Sequence, residues 1–376
     1  MSKEQRAPAG GLRILFVSPG ALVGAHLVFV RREAEALRAA GYSVEVFCFD
    51  NASYLPWRIL FQVLLLKRRI RDFHPDVLHA QFGKFNAMVA ALAKGRLPLV
   101  ITFRGTDINR NTQYGPLRCA LGFGASQLAA WFADGLVCVS REIQSKVWVH
   151  SRRPCIVVPT GVELHTFVPM DRNEARRRLG YGARERIVLF NAGHNPAVKD
   201  PELAVASIEE AKKIIGETRF VVLDGTADPD DIPLYMNAAD CMLLTSRTEG
   251  SPTVVQEAMA CNLPVVSVDV GDVRERLKGV AACAVVKRDP AALGAALAAL
   301  LRASRRSDGR AHAAALGVEA IAAQLAQFYA ALMRGTSISV RSTARPESRA
   351  CHPTVGAGRP FSQEREAHPE IGATLP

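Results

Sequence analysis

The stretch from Asp240 to Val268, DCMLLTSRTEGSPTVVQEAMACNLPVVSV, constrains the fold more than any other part of the chain. The apolar run Cys241 to Leu244 predicts a buried strand, and Pro264 to Val268 predicts the next one. Between them, Ser251 followed by Pro252 reads as a helix N-cap with proline at the first helical position. A strand, loop, helix and strand in so few residues calls for a parallel sheet covered by helices. The same stretch sets Glu249 and Glu257 on either side of the helix start. Counting Pro252 as the first helical residue, Thr253, Val254 and Glu257 share a face, and the Glu257 side chain leans back toward the loop that holds Glu249.

Two carboxylates beside a helix start are ordinarily solvated and favour the helix dipole. A second reading uses both features: the opening N–H groups of a helix favour an anion such as phosphate, and paired carboxylates accept hydrogen bonds from hydroxyls. A ligand carrying phosphate and several hydroxyls, a nucleotide sugar, satisfies both. The Glu-x7-Glu spacing, set between Ala239-Asp240 and the run Glu257-Ala258-Met259-Ala260 with Pro264-Val265-Val266, resembles the donor-binding motif of the retaining glycosyltransferases of family 4. That resemblance implies an α/β chain of GT-B architecture, two facing Rossmann-like domains with parallel sheets.

At 376 residues, 49% of them hydrophobic, the chain exceeds what one core usually supports and suffices for two α/β domains. The eight cysteines occur singly, mostly in strand-like runs such as Phe47-Cys48-Phe49 and Val137-Cys138-Val139. They read as buried thiols of a reducing compartment and not as disulfides. The polar start MSKEQRAPAGG carries no secretory pattern and no apolar run reaches spanning length, so a cytoplasmic location is expected. Histidines 26, 79, 165 and 194 show no metal-ligand spacing, so no metal is expected. Net charge +11 suits anionic small molecules, nucleic acid or a membrane surface, but no stacking-aromatic or zinc-finger pattern supports nucleic acid.

Strands are expected at Leu12 to Val17, Ser43 to Phe49, Asp76 to Ala80, Leu97 to Phe103, Gly135 to Val139 and Ile156 to Val158, with helices through Arg31 to Ala40 and Phe85 to Ala93. A second set holds strands at Ile187 to Asn191, Phe220 to Leu223, Cys241 to Leu244, Pro264 to Val268 and Ala281 to Val286. Helices are expected there at Pro201 to Ile215, Ile232 to Ala238 and Pro290 to Ala303. Only one strand lies between Lys213 and Asp240, where family 4 members commonly have two. The expected divisions are an acceptor-side domain over 1–168, a nucleotide-sugar-binding domain over 169–310 and a terminal helix over 311–334 that similar proteins return to the first domain. A tail over 335–376, rich in Ser, Pro, Arg and Gly, is expected to be disordered.

Further segments carry the resemblance. Pro159-Thr160-Gly161-Val162-Glu163 is similar to the family's Pro-Asn-Gly-Val-Asp run, with Thr160 and Glu163 as substitutions. FNAGHNPAVKDPELA, from Phe190 to Ala204, resembles the segment that brings an arginine and a lysine onto the donor diphosphate. Lys199 matches the lysine, which as a lone residue would read as solvated, whereas Gly193 or His194 occupies the arginine position. Gly20 and Gly24 resemble the family's glycine-bearing loop near sugar and phosphate. Their spacing fails the dinucleotide fingerprint, which disfavours a dehydrogenase. In Phe103-Arg104-Gly105-Thr106-Asp107, Arg104 replaces the family histidine and either meets donor phosphate or an anionic acceptor, or pairs with Asp107.

The resemblance implies a glycosyltransferase that moves a hexose with retention from a nucleotide sugar to a glycan or lipid-linked glycan, in surface-polysaccharide or glycoconjugate synthesis. Glu249, Lys199 and Arg104 are its expected catalytic residues. Glu257, Gly250, Ser251, Pro252, Thr253, His194, Gly20 and Gly24 are its expected donor contacts. No cofactor is implied, the nucleotide sugar being a substrate. A nucleotide-sugar epimerase and a non-catalytic sugar-nucleotide-binding subunit stay open as alternatives. Trp57 to Arg71, WRILFQVLLLKRRIR, carries five basic residues and no acidic one after Trp57, among many apolar residues. It reads either as an interfacial helix against anionic lipid on the inner membrane face or as a core helix with a solvated basic end.

Overall fold

The computed structural model describes residues 11–20, 27–49, 55–109, 115–193 and 196–335. The chain opens with β1 (Arg13–Pro19), α1 (Val28–Ala39), β2 (Ser43–Phe49), α2 (Pro56–Phe73), β3 (Val77–Gln81), α3 (Lys84–Ala93) and β4 (Leu99–Phe103). Then come α4 (Pro116–Phe132), β5 (Gly135–Cys138), α5 (Arg141–Lys146) and β6 (Cys155–Val157). The second half runs α6 (Arg172–Leu179), β7 (Ile187–Asn191), α7 (Pro196–Lys199), α8 (Pro201–Ile215), β8 (Arg219–Leu223), α9 (Ile232–Ala238) and β9 (Cys241–Leu244). It closes with α10 (Thr253–Ala260), β10 (Val265–Val268), α11 (Val273–Arg276), β11 (Ala284–Val286), α12 (Pro290–Ala303), α13 (Gly309–Ala313) and α14 (Val318–Arg334).

Two parallel sheets result, ordered β2-β1-β3-β4-β5-β6 and β11-β10-β9-β7-β8. This is the α/β architecture expected. The interior strands are buried on both faces, as their near-continuous apolar runs require: Ile14 to Val17 and Leu99 to Ile101 have no exposed surface. On one face of the first sheet Leu15, Leu78 and Ile101 meet α2, α3 and α4, and on the other Ile14, Phe16 and Val100 meet α1 and α14.

α14 arrives from the far end of the chain. Its Ile321, Leu325, Phe328 and Tyr329 fill the groove over β1 and β5, and a side chain at Gly135 would run into the Phe328 ring. Full burial of each such residue stabilises by about 1.5–3 kcal/mol. The Tyr329 hydroxyl lies 2.6 Å from His79 Nδ1, and His79 Nε2 lies 2.7 Å from Thr102 Oγ1, so a buried polar chain ties α14 to β3 and β4. Burial, helped by Arg104, lowers the His79 pKa to about 3, and the imidazole is neutral.

Four expectations change. The terminal helix is broken: a 3-10 turn at Ala314–Leu316 and Gly317 precede α14, because this backbone pairs with the connecting segment. There Val162 N donates to Leu316 O at 2.9 Å and Val318 N to Val162 O at 3.0 Å. Residues 116–132, read as having no element, form α4, whose Gly122 and Gly124 hid the helical signal. Ser251 is not an N-cap: α10 begins at Thr253 with Pro252 at the cap position, and the Ser251 hydroxyl donates to Asp272 Oδ2 instead, at 2.9 Å. Cys48 is exposed and not buried, because β2 is an edge strand, whereas Cys138, Cys241 and Cys261 are buried. The tail expectation, beyond Gly335, lies outside the described residues.

Candidate active site at the facing sheet edges

In an open parallel sheet the crevice for a ligand forms at the carboxyl ends of the two strands where the strand order reverses. In the second sheet those strands are β7 and β9, since β8 flanks β7 on one side and β9 flanks it on the other. Lys199 ends α7, in the connection after β7, and Glu249 lies in the loop after β9. The reversal therefore brings them together: Lys199 Nζ donates to Glu249 Oε1 at 2.5 Å, with both side chains less than one-fifth exposed. Thr245 holds the lysine's backbone, its hydroxyl donating to Lys199 O at 2.8 Å. Asp200 then caps α8 through Leu203 N and pairs with Arg247 and Arg288.

Gly250 follows Glu249 and touches the first half of the molecule. A side chain there would overlap the Arg104 carbonyl oxygen, and Gly105, at φ +124°, leaves room in return for Gly250 N. Only glycine permits this approach of two backbones. Asn109 adds a polar tie, donating to Thr248 Oγ1 at 2.9 Å, and is itself held by Lys146 Nζ at 2.7 Å. The carboxyl edges of the two sheets thus face each other at Gly105 and Gly250.

Glu257, on α10, points into the same region. Arg32 of α1 comes within 3.7 Å of it, and the same guanidinium lies 2.6 Å from Glu163 in the connecting segment. Burial pushes the Glu257 carboxyl up to about 7. Glu163 adds to the rise, while Arg32 and Lys199 oppose it. Glu257 thus titrates near neutrality with two cations in reach.

Arg104 takes a different place from the one expected of a ligand-facing cation. Its guanidinium is about 5% exposed and is spent on the first domain itself: Glu33 at 2.8 Å, Gln81 at 2.5 Å and Thr160 at 3.2 Å, with the Phe29 ring 4.6 Å away. Its side chain does not pair with Asp107 either. That buried carboxylate accepts from the backbone N–H groups of Gly83, Arg104 and Gly105, which fixes the loop. Ser251 is a strut as well, receiving Gln256 Nε2 at 3.0 Å while it donates to Asp272.

Of the remaining candidates, Pro252 and Thr253 stand at the start of α10, and Gly20 sits at the end of β1 with φ +102°. Gly24 and His194 lie outside the described residues. Arg32, Glu33, Gln81, Asn109 and Lys146 were not singled out from the sequence. Each is a polar residue with no motif around it, and only the packing of α1 and of the sheet edges brings it to the site.

A family model described as Glycosyltransferase Family 4 matches residues 28–166, and one described as Glycosyl transferases group 1 matches 179–303. A Bacillus subtilis protein whose name assigns it to teichuronic acid biosynthesis, the glycosyltransferase TuaC, is 27% identical over 234 residues, covering 58% of this chain and 59% of that protein. A D-inositol 3-phosphate glycosyltransferase of Geodermatophilus obscurus is 29% identical over 303 residues, covering 69% of this chain and 67% of that one. Among solved structures, sucrose-phosphate synthase from Thermosynechococcus elongatus superposes with a TM-score of 0.72 at 20% identity, over 86% of this chain and all of that one. Anabaena Alr3699/HepE in complex with UDP and glucose does so at 0.65 and 18% identity, over 85% of this chain and all of that one. The two matched segments and the two facing parallel sheets place this chain in the family 4 and group 1 glycosyltransferases of GT-B architecture.

Proposed function

We propose that this protein transfers a hexose from a nucleotide sugar to a glycan or lipid-linked glycan acceptor, with retention at the anomeric carbon. The observation that carries the reading is the meeting of Lys199 and Glu249 at the strand-order reversal of the second sheet, with Glu257 reached from α1 by Arg32. Glu257 accepts from the ribose hydroxyls. Lys199 and the opening turn of α10 take the diphosphate, and Glu249, released from Lys199, accepts from sugar hydroxyls. Breaking the anomeric bond builds positive charge on the sugar and negative charge on the departing diphosphate. Lys199 and the helix dipole act on that second charge. The departing phosphate oxygen takes the acceptor proton on the same face as the new bond, which gives retention without a protein nucleophile.

The relatives named for teichuronic acid and inositol phosphate support a polyhydroxylated, anionic acceptor in surface-polysaccharide or glycoconjugate synthesis. A second reading has two observations in its favour: Gly193 or His194 stands where the family has its arginine, and Lys199 is bound to Glu249, as in a subunit that binds sugar nucleotides without turning them over. Incubation with a panel of nucleotide sugars separates the readings. Release of nucleoside diphosphate, with an acceptor product whose anomeric proton coupling matches the donor's, is the expected result. Binding without release, or a changed sugar on an intact nucleotide, overturns it.

A further inference from the structure

The outer face of the first domain is apolar where water should meet it. α2 has two stripes: Val63, Leu66 and Phe73 turn into the core, while Trp57, Leu60, Phe61 and Leu64 are 65%, 59%, 57% and 56% exposed. The outward set follows the i, i+3, i+4, i+7 spacing of one helical face, so it is a continuous strip. α4 repeats the pattern with exposed Leu121, Leu128 and Trp131, and α3, packed between the two, adds Leu92. More than half of the exposed large apolar side chains among the described residues lie on these three helices. Isolated apolar residues on a surface need no explanation, but a patch on adjacent helices marks an interaction surface.

Charge indicates what covers it. Arg58, Lys67, Arg68 and Arg71 are exposed on α2, and Asp72 is the helix's one acidic residue. Between the second half of α2 and the turn at 95–97 runs an open groove of about 820 Å³, whose apolar wall is Phe61, Leu64 and Leu65 and whose rim carries Lys67, Arg68 and Arg71. Lys94 also borders it, paired with Asp134 at 2.6 Å, and Arg68 is 3.9 Å from Asp72. No acidic partner of Lys67 or Arg71 is found among the described residues. An apolar strip with a basic groove beside it fits acyl chains next to anionic headgroups, the pairing that a helix lying in a bilayer interface makes. No described helix is long and apolar enough to cross a membrane, so the contact is one of lying on the surface. All three helices start at the carboxyl edge of the first sheet, beside the candidate active site.

We propose that the outer face of α2, α3 and α4 docks on an anionic lipid bilayer, with an anionic headgroup in the groove between α2 and the turn at 95–97. Flotation of the full chain with phosphatidylglycerol vesicles and with phosphatidylcholine vesicles tests it. Wild type should float with the first and not the second at moderate salt. Changing Lys67, Arg68 and Arg71 together to Gln should lower the partition coefficient on the order of a hundredfold, from the typical worth of each basic residue at such a surface. Leu60→Ser with Phe61→Ser and Leu64→Ser should abolish the salt-resistant part of binding. All six residues have outward-facing or partly exposed side chains, and an unchanged circular dichroism melt verifies folding. Wild type left unfloated by anionic vesicles overturns the proposal, as does flotation that neither triple variant weakens. So does an apolar variant that converts a dimer to a monomer in sedimentation without altering flotation, since a second copy would then cover the face. Nucleoside diphosphate release in free solution reports the glycosyltransfer reading separately.

Discussion

Arg32 on α1 serves two carboxylates at once, 2.6 Å from Glu163 and 3.7 Å from Glu257. Its closer partner belongs to the segment joining the sheets, and the more distant one to the second sheet's helix. A ligand hydroxyl that claims Glu257 therefore displaces the weaker contact and leaves the stronger intact. Arg32→Ala removes a cation that helps keep Glu257 ionised. Nucleotide binding should weaken several-fold at pH 6.5 and recover part of the loss at pH 8.5, where a larger share of Glu257 is ionised. Titration calorimetry at the two pH values decides, and an equal loss at both would mean that Arg32 touches the ligand directly.

Two groups, the fully buried His79 and the largely buried Glu257, make opposite contributions to stability against pH. The Glu257 pKa rises from 4.5 to about 7 on folding, so the folded state holds the proton more tightly and stability falls as pH rises through that window. The His79 pKa drops from 6.5 to about 3, so its contribution is complete above 6.5 and is lost as pH falls through the window. Between 4.5 and 6.5 the slopes oppose one another, each up to about 1.4 kcal/mol per pH unit. Glu257→Gln should unmask the histidine slope, so that the variant gains stability relative to wild type as pH climbs from 5 to 7.5. Chemical denaturation across that range measures it, and parallel curves would contradict the assignment.

Glu249→Ala and Lys199→Ala should separate donor from nucleotide. Removing Glu249 frees Lys199 for the diphosphate, so free nucleoside diphosphate should bind equally well or up to about tenfold more tightly while the intact donor weakens. Removing Lys199 should weaken both and reduce the salt dependence of binding. Identical losses in both variants for both ligands would remove the distinction between the two roles.

Arg104→Ala should destabilise strongly, by about 3–5 kcal/mol, because it leaves the Glu33 carboxylate buried beside Gln81 without its cation. Arg104→Met combined with Glu33→Gln removes both charges and should cost clearly less. Urea denaturation of the two forms tests whether Arg104 is a strut, and equal destabilisation would mean that burial of its charge is not what matters.

Gly250→Ala should push the sheet edges apart at the Arg104 carbonyl. The overlap costs about 1–3 kcal/mol if it is absorbed by strain. If the edges separate instead, donor turnover should fall at least tenfold while stability changes little. A radius of gyration from small-angle scattering, taken beside the turnover assay, tells strain from separation, and a variant unchanged in all three measurements would show that the contact is dispensable.

All eleven described strands lie where the apolar runs put them: interior strands buried on both faces leave near-continuous apolar runs, and the edge strands β2, β8 and β11 keep short apolar runs although they are partly exposed. Glu249, Glu257 and Lys199 were legible for a similar reason, each standing in a local segment with a pattern of its own. Arg32 and Glu33 were not. They are charged residues on the helix of the first strand's crossover, and such residues are ordinarily solvated; contacts made by residues far away in the chain turn them inward. Arg104 shows the opposite case, since its place at the family histidine's position suggested a ligand while 71 residues of separation hid its partner Glu33. α4 was missed because two glycines depress helix propensity locally and packing on α3 overrides it.

Tyr329 and His79 are 250 residues apart in the chain, yet they complete one wall of the first sheet. While the chain is being synthesised, β1, β3 and β4 leave the ribosome long before α14 exists, and the apolar groove over them stays uncovered until the second domain has been made. Assembly of the first domain therefore waits on the last described helix. Ending the chain before Val318 would leave the second sheet its strands but strip the first of a wall, so such a fragment should depend on chaperones and aggregate through Ile14, Phe16 and Val100.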